Sequence, residues 1–274
     1  MSRANDATIR PFLKWAGGKY RIIERIRELL PEGERLVEPF VGSGAVFLNT
    51  HYPTYLLADS NPDLINLYRT LRTEGAAFIA YCKRNFTARN NSAESYYRLR
   101  EVFNTTRDVR RKSALFVYLN RHGYNGLCRY NARGRFNVPF GRYKRPYFPE
   151  REMWLFHEKA ASARFVLGDF TTVLGDTHAG DVVYADPPYL PLSRTANFTS
   201  YSAGVFTLED QLRLVQLAEQ AAQRGVPVLV SNHDTEFVKR DYRNAHITRF
   251  PVQRFISRDG ANRRPAREVL ALFA

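Results

Sequence analysis

The segment from Arg35 to Asp59 constrains the fold more than any other part of the chain. Arg35-Leu36-Val37 reads as a short buried strand, Gly42-Ser43-Gly44 opens a helix over Ala45 to Asn49, and Tyr55-Leu56-Leu57-Ala58 is the next strand. Strand, glycine turn, helix, strand is the unit from which parallel sheets are built, because a parallel neighbour is reached only through a crossover. The unit is half of a Rossmann-like α/β fold. Ahead of it, Ile22, Ile23, Ile26, Leu29 and Leu30 keep helical spacing until Pro31 and Gly33 break it.

From Asn61 to about His122 the β pattern disappears. Three helical segments are expected there, N-capped by Asn61 with Pro62 at the first helical position, by Ser92 and by Asp108. Residues 123 to 149 are rich in glycine, aromatic residues and arginine, and Arg133-Gly134 makes a tight turn between short extended arms, so this stretch is expected to be a β-hairpin. Strands resume at Arg164 to Leu167, Asp181 to Ala185 and Val226 to Val230, the last preceded by a helix that Thr207 caps and Gly225 ends. The expected division is therefore a core of residues 1–61 and 150–274 interrupted by an insertion over 62–149, with helices over about 62–122 and the hairpin over about 123–145.

Lys and Arg outnumber Asp and Glu by 41 to 27, a net charge of +14, which favours a polyanionic partner if the charge is concentrated. It is concentrated. Between Val109 and Pro149 there is no acid, while arginines and lysines alternate with Tyr124, Tyr130, Phe136, Phe140, Tyr143, Tyr147 and Phe148. Cations suit phosphates and flat rings suit bases, so this insertion is expected to bind nucleic acid. A second basic cluster, Arg254, Arg258, Arg263, Arg264 and Arg267, suits a phosphate backbone as well. Cys82 and Cys128 show neither zinc-ligand spacing nor a disulfide framework, and the six histidines show neither metal spacing nor a partnered nucleophile; His233 is expected to be structural. Met1 to Arg10 has no apolar signal-like core and no stretch approaches the roughly 20 apolar residues of a membrane span, so the expectation is a cytoplasmic protein with no membrane association.

Glu38-Pro39-Phe40-Val41-Gly42-Ser43-Gly44 follows the first strand, where glycines let backbone approach a ligand at the carboxyl edge of a parallel sheet. Asp59 ends the next strand and is placed to accept hydrogen bonds from ribose hydroxyls, so a nucleoside-containing cofactor fits. A dinucleotide fits less well, because Phe47 stands where the third glycine of its fingerprint belongs. Ala16-Gly17-Gly18-Lys19 is not a phosphate loop: Leu13 stands in place of the leading glycine and Tyr20 in place of the magnesium-binding hydroxyl.

The strand Asp181 to Ala185 runs directly into Asp186-Pro187-Pro188-Tyr189. An exocyclic amine on an aromatic base is a poor nucleophile because its lone pair is delocalised into the ring, and acceptors on both N–H bonds favour the localised, reactive form. Asp186 supplies one acceptor, a prolyl carbonyl, that of Pro187, supplies the second, and Tyr189 offers a stacking face. These residues alone leave open adenine N6, cytosine N4 or a protein glutamine as the amine, and also an inactive DNA-binding regulator on the same fold.

With these motifs in the order Phe12 to Lys19, Glu38 to Gly44 and Asp186 to Tyr189, and with further likeness over Leu119 to Tyr147 and Ser231-Asn232-His233-Asp234, the chain resembles the Dam-type DNA adenine-N6 methyltransferases over nearly its whole length. The resemblance implies a Rossmann-like methyltransferase core with a mixed, mostly parallel sheet and an inserted helical and β-hairpin DNA-recognition domain. It implies transfer of a methyl group from S-adenosylmethionine, leaving S-adenosylhomocysteine, to adenine N6 in double-stranded GATC, with no metal and no obligate protein partner. Trp15, Ala16, Gly17, Lys19, Glu38, Pro39, Phe40, Gly42, Ser43, Gly44, Asp59, Asp169, Phe170 and Asp186 then belong to the cofactor site. Lys14 contacts the guanine preceding the target adenine, Arg129 reads a guanine, Leu127 and Pro139 touch the thymine edge, and Tyr124 beside Asn125 fills the gap left by a flipped base. Asn137, Arg142, Tyr143 and Lys144 complete the DNA-contacting set. The cell implied is bacterial or phage-infected, with the enzyme on the nucleoid.

Overall fold

The computed structural model describes residues 8–189, 206–252 and 266–274. Among these residues seven strands form one sheet: β1 (Arg35–Glu38), β2 (Thr54–Asp59), β3 (Ala163–Leu167), β4 (Asp181–Ala185), β5 (Val228–His233), β6 (His246–Val252) and β7 (Ala266–Phe273), in the order β3-β2-β1-β4-β5-β7-β6. The first five pair in parallel, and β7 runs antiparallel to both β5 and β6, so the sheet is mixed and mostly parallel as expected. The order reverses between β1 and β4, the switch point outside whose carboxyl ends ligands bind in open α/β sheets.

Both faces of the central strands are buried, which is why they read as near-continuous apolar runs. Leu36, Leu57, Tyr184 and Leu229 face one core with Ile26 of α1 (Ile23–Leu29), Phe47 of α2 (Ala45–Asn49), Leu64 and Tyr68 of α3 (Pro62–Glu74) and Phe156 of α7 (Glu150–Lys159). Val37, Ala58, Val183 and Val230 face the other, with Val173 of α8 (Phe170–Gly175), Leu214 and Ala218 of α9 (Leu208–Gln223) and Val238 of α10 (Glu236–Asp241). No helix among the described residues is long and apolar enough to cross a membrane.

Residues 62–122 hold four helices rather than the expected three. Gly75, at φ +48, separates α3 from α4 (Ala76–Lys83), and a Cβ there would fall 2.5 Å from the His157 ring, so the break is fixed by packing as well as by conformation. Asn61, Ser92 and Asp108 cap α3, α5 (Ala93–Thr105) and α6 (Val109–His122) through side-chain oxygens, and Thr207 closes a capping box on α9.

After α6 the chain folds back on itself without regular strands. Only isolated antiparallel bridges join Gly123 to Phe140 and Tyr130 to Phe136. The reason is visible in α5, whose side chains take the hydrogen bonds a ladder would use: Asn104 pairs with both backbone groups of Phe136 at 2.8 and 3.1 Å, and Tyr96 and Arg100 each donate to the Val138 carbonyl at 3.0 Å. Gly134, at φ +68, makes the turn between the arms.

Candidate functional site

Because Tyr184 pairs with Leu229 and Ala185 with Val230, the register carries Asp186, just past the carboxyl end of β4, alongside Ser231 of β5. Ser231 Oγ donates to Asp186 Oδ1 at 2.8 Å and accepts from the Tyr184 hydroxyl at 3.2 Å. Lys19 Nζ meets the same oxygen at 2.8 Å while donating to the Gly17 carbonyl at 2.7 Å. Two donors therefore converge on Oδ1. Burial works against the Lys19 ammonium, but the neighbouring Asp186, with smaller contributions from Tyr184 and Glu268, outweighs it, so the Lys19 pKa is raised.

The two prolines of the tetrapeptide differ. Gln211 Nε2 donates to the Pro188 carbonyl at 2.9 Å, and Gln211 Oε1 accepts from Asn232 Nδ2 at 3.1 Å, which also reaches the Tyr242 hydroxyl at 3.0 Å. Pro188 is thus held from below by a buried amide pair, and Pro187, itself buried, is the proline whose carbonyl Gln211 leaves aside. The Tyr189 ring lies 4.3 Å from His233, edge to face, and 4.8 Å from Lys19 Nζ. His233, expected to be structural, packs against the tyrosine ring.

The glycine loop is built as its sequence requires. Gly42 and Gly44 take φ +47 and +71, and a Cβ on Gly42 would fall 2.8 Å from the Trp15 indole nitrogen, so the indole can cover the loop only because residue 42 has no side chain. Asp59 accepts from the Gly42 amide at 3.2 Å and the Asn61 amide at 2.9 Å, which ties the ends of β1 and β2 together. Burial raises the Asp59 carboxyl, opposed by those amides.

Glu38, buried at the end of β1, is pushed up to about 8 by burial, and its Oε1 has no hydrogen-bond partner among the described residues. Pro39 and Ser43 are buried beside it, whereas Ala16 and Gly17 are exposed. Phe40 stacks on Phe170 at 5.5 Å, with Phe206 edge-on at 5.6 Å. Asp169 is exposed and caps α8, its Oδ1 accepting from the Thr171 amide at 2.8 Å and hydroxyl at 2.6 Å.

A second constellation lies on the fold-back after α6. The Lys14 ammonium sits 4.1 Å over the Tyr143 ring, whose hydroxyl accepts from the Asn125 amide at 3.0 Å. Asn125 and Arg142 are the only non-glycine residues with positive φ among those described, at 53 and 55°. Tyr124 is 52% exposed, so its ring does not pack into a hairpin core. Pro139 projects as well, its carbonyl accepting from the Tyr124 amide at 2.9 Å, while Leu127 is half-buried. Arg129 Nε donates to Asn137 Oδ1 at 2.7 Å and its Nη2 to the Asn137 carbonyl at 3.3 Å. Lys144 and Arg142 are exposed.

The acid-free stretch is not all available charge. Arg110 pairs with Glu74, Lys112 with Asp63 and Arg135 with Glu101, each acid coming from an earlier helix. Of the second basic cluster, Arg254, Arg258, Arg263 and Arg264 lie outside the described residues.

Residues 15–255 match the model of the D12 class of N6 adenine-specific DNA methyltransferases. The chain is 53% identical over 265 residues to a DNA adenine methylase of Vibrio cholerae, with 96% of each chain covered. It is 50% identical over 264 residues to that of Escherichia coli K12, covering 96% of this chain and 95% of the relative. A DNA adenine methylase of Serratia marcescens is 51% identical, with 96% and 98% covered. With the motif-bearing loops assembled at one sheet edge and similarity running the length of the chain, this protein belongs to the D12 class of N6 adenine-specific DNA methyltransferases.

Proposed function

We infer that this enzyme transfers the methyl group of S-adenosylmethionine to N6 of an adenine flipped out of double-stranded GATC. The observation that carries the reading is the one-sided holding of Asp186: Ser231 and Lys19 both occupy Oδ1, and Oδ2 is left to accept an N–H of the target amine. The Pro187 carbonyl is the second acceptor, since Gln211 engages that of Pro188. Two acceptors at a fixed separation select the rehybridised amine and stabilise the positive charge that develops on N6. Lys19 anchors Asp186 for this purpose. Tyr189 provides the stacking face.

The residues fit the cofactor. Glu38 carries a buried acceptor without a donor, which suits the cationic amino acid end of the molecule, and Gly42 and Gly44 present backbone that a side chain would block. Trp15, Ala16, Gly17 and Lys19 form the strap over that loop, Asp59 faces the ribose, and Phe40 with Phe170 gives the adenine an apolar wall. Asp169, committed to its helix cap, is the weakest member of the set. Bound there, S-adenosylmethionine supplies an electrophilic methyl group and leaves as S-adenosylhomocysteine.

Residues 62–149 are the target-recognition unit in this reading, and the partner is duplex DNA in the cytoplasm. Flipping costs a few kcal/mol in lost pairing and stacking, and exposed Tyr124 beside Asn125 is placed to fill the vacated space. Lys14 reads the guanine before the adenine. Arg129, its Nε and Nη2 both donating to Asn137, has Nη1 left to meet a guanine edge. Digestion of the methylated duplex to nucleosides followed by mass spectrometry tests the chemistry: N6-methyladenine as the product is expected, and N4-methylcytosine would refute it.

A further inference from the structure

We propose that Asn120 is a positioning residue for base discrimination: it locks the guanine-reading Lys14 to the recognition loop and, through the adjoining strap, to the catalytic carboxylate. The proposal rests on the assignment of Lys14 as a base reader made above. Asn120 lies on α6 and is 2% exposed. Its Oδ1 accepts from the Lys14 amide at 2.9 Å, and its Nδ2 donates to the Lys14 carbonyl at 2.8 Å and to the Gly126 carbonyl at 3.0 Å. Both amide hydrogens and the acceptor are used, on segments far apart in sequence, so one carboxamide sets the position of Lys14 against the loop in two directions.

The rest of Lys14 is held by that same loop. Gly126 has φ +63, and a Cβ there would fall 2.3 Å from the Lys14 Cβ, so the lysine stem lies directly on the glycine. The ammonium rests on Tyr143, which in turn holds the Asn125 amide. Main chain, stem and head group of Lys14 are therefore referenced to Tyr124–Leu127, the stretch assigned to the space the flipped base vacates. In the other direction the strap continues from Lys14 into Trp15, which covers Gly42, and Lys19, which holds Asp186. A fully satisfied buried amide at this junction converts three pieces into one unit. A merely stabilising amide would affect melting and leave discrimination alone.

The test compares kcat/KM on a GATC duplex and on one with the guanine before the target adenine replaced, for the wild type, Asn120→Ala, Lys14→Ala and the double variant. S-adenosylhomocysteine affinity is the measure of an intact fold. Asn120→Ala is expected to lose roughly tenfold or more in the ratio of the two, with cofactor affinity kept, and the double variant to discriminate no worse than Lys14→Ala, because the two act through one contact. Gly126→Ala leaves Asn120 in place but displaces the lysine stem, and is expected to lose the same discrimination; it serves where Asn120→Ala does not fold. An unchanged ratio in Asn120→Ala or Gly126→Ala beside a collapsed ratio in Lys14→Ala overturns the positioning role alone, as does additivity in the double variant. An unchanged ratio in Lys14→Ala overturns the base-reading assignment itself.

Discussion

Replacing Ser231 by alanine isolates one of the two donors that hold Asp186. The substitution removes a 2.8 Å hydrogen bond to a carboxylate and leaves the 2.8 Å Lys19 ion pair on the same oxygen. A hydrogen bond to a charged group is worth about 1.5–3 kcal/mol. At about 1.4 kcal/mol per tenfold in rate, kcat should fall roughly ten- to hundredfold while KM for the cofactor changes little. The loss stops short of abolition because the carboxylate keeps its Lys19 anchor. A second effect is separable: the buried Tyr184 hydroxyl loses its acceptor, a cost of about 1–3 kcal/mol in stability. Adding Tyr184→Phe removes the stranded hydroxyl, so the melting temperature should recover and kcat should not. Single-turnover transfer of labelled methyl, with thermal melts of the wild type and the two variants, reads both quantities. A Ser231→Ala enzyme within twofold of wild type, or one whose kcat is rescued by Tyr184→Phe, would refute the one-sided holding of Asp186.

Asp186→Asn should abolish turnover while retaining DNA binding measurable by anisotropy; Asp186→Ala should in addition lose several kcal/mol of stability, because it strands the buried Lys19 ammonium. Arg129→Ala should cost about 1–3 kcal/mol in discrimination at its base, and Asn137→Ala a smaller part of that by freeing Nε, both read from kcat/KM on substituted duplexes. Glu38 gives a pH signature: its folded pKa of about 8 lies above the ordinary 4.5, so the folded protein keeps a proton that the unfolded chain releases. Stability from this group is present at low pH and is lost as pH rises through that window. In cofactor-free protein, the melting temperature of Glu38→Gln relative to wild type should therefore climb between about pH 5 and 8; a constant difference would contradict a proton on Glu38.

Features decided by neighbouring residues were legible in the sequence. The caps at Asn61, Ser92, Asp108 and Thr207 need only a short polar side chain and the next turn of backbone, and the strand–glycine–helix unit at Arg35–Asp59 needs only its own pattern. Long-range pairing was not. The run Val269-Leu270-Ala271-Leu272-Phe273 has no alternation to mark it as a strand, because β7 lies between β5 and β6. The arms after α6 looked like a hairpin by composition, yet Asn104, Tyr96 and Arg100 of α5 take their hydrogen bonds. In the site, the motif residues announced themselves, whereas Ser231, Gln211 and Asn120 are ordinary polar residues until strand register and helix packing bring them to Asp186, Pro188 and Lys14. The acid-free stretch likewise overstated the free charge, because its partners Glu74, Asp63 and Glu101 precede it in the chain.

The central claim, that this fold and this carboxylate methylate adenine N6 in one short duplex sequence, is tested most directly by transfer of label from S-adenosylmethionine to a panel of duplexes. The account predicts incorporation into GATC and none above background when the adenine is replaced or the outer guanine changed. Equal incorporation across the panel, or none into GATC, would contradict it.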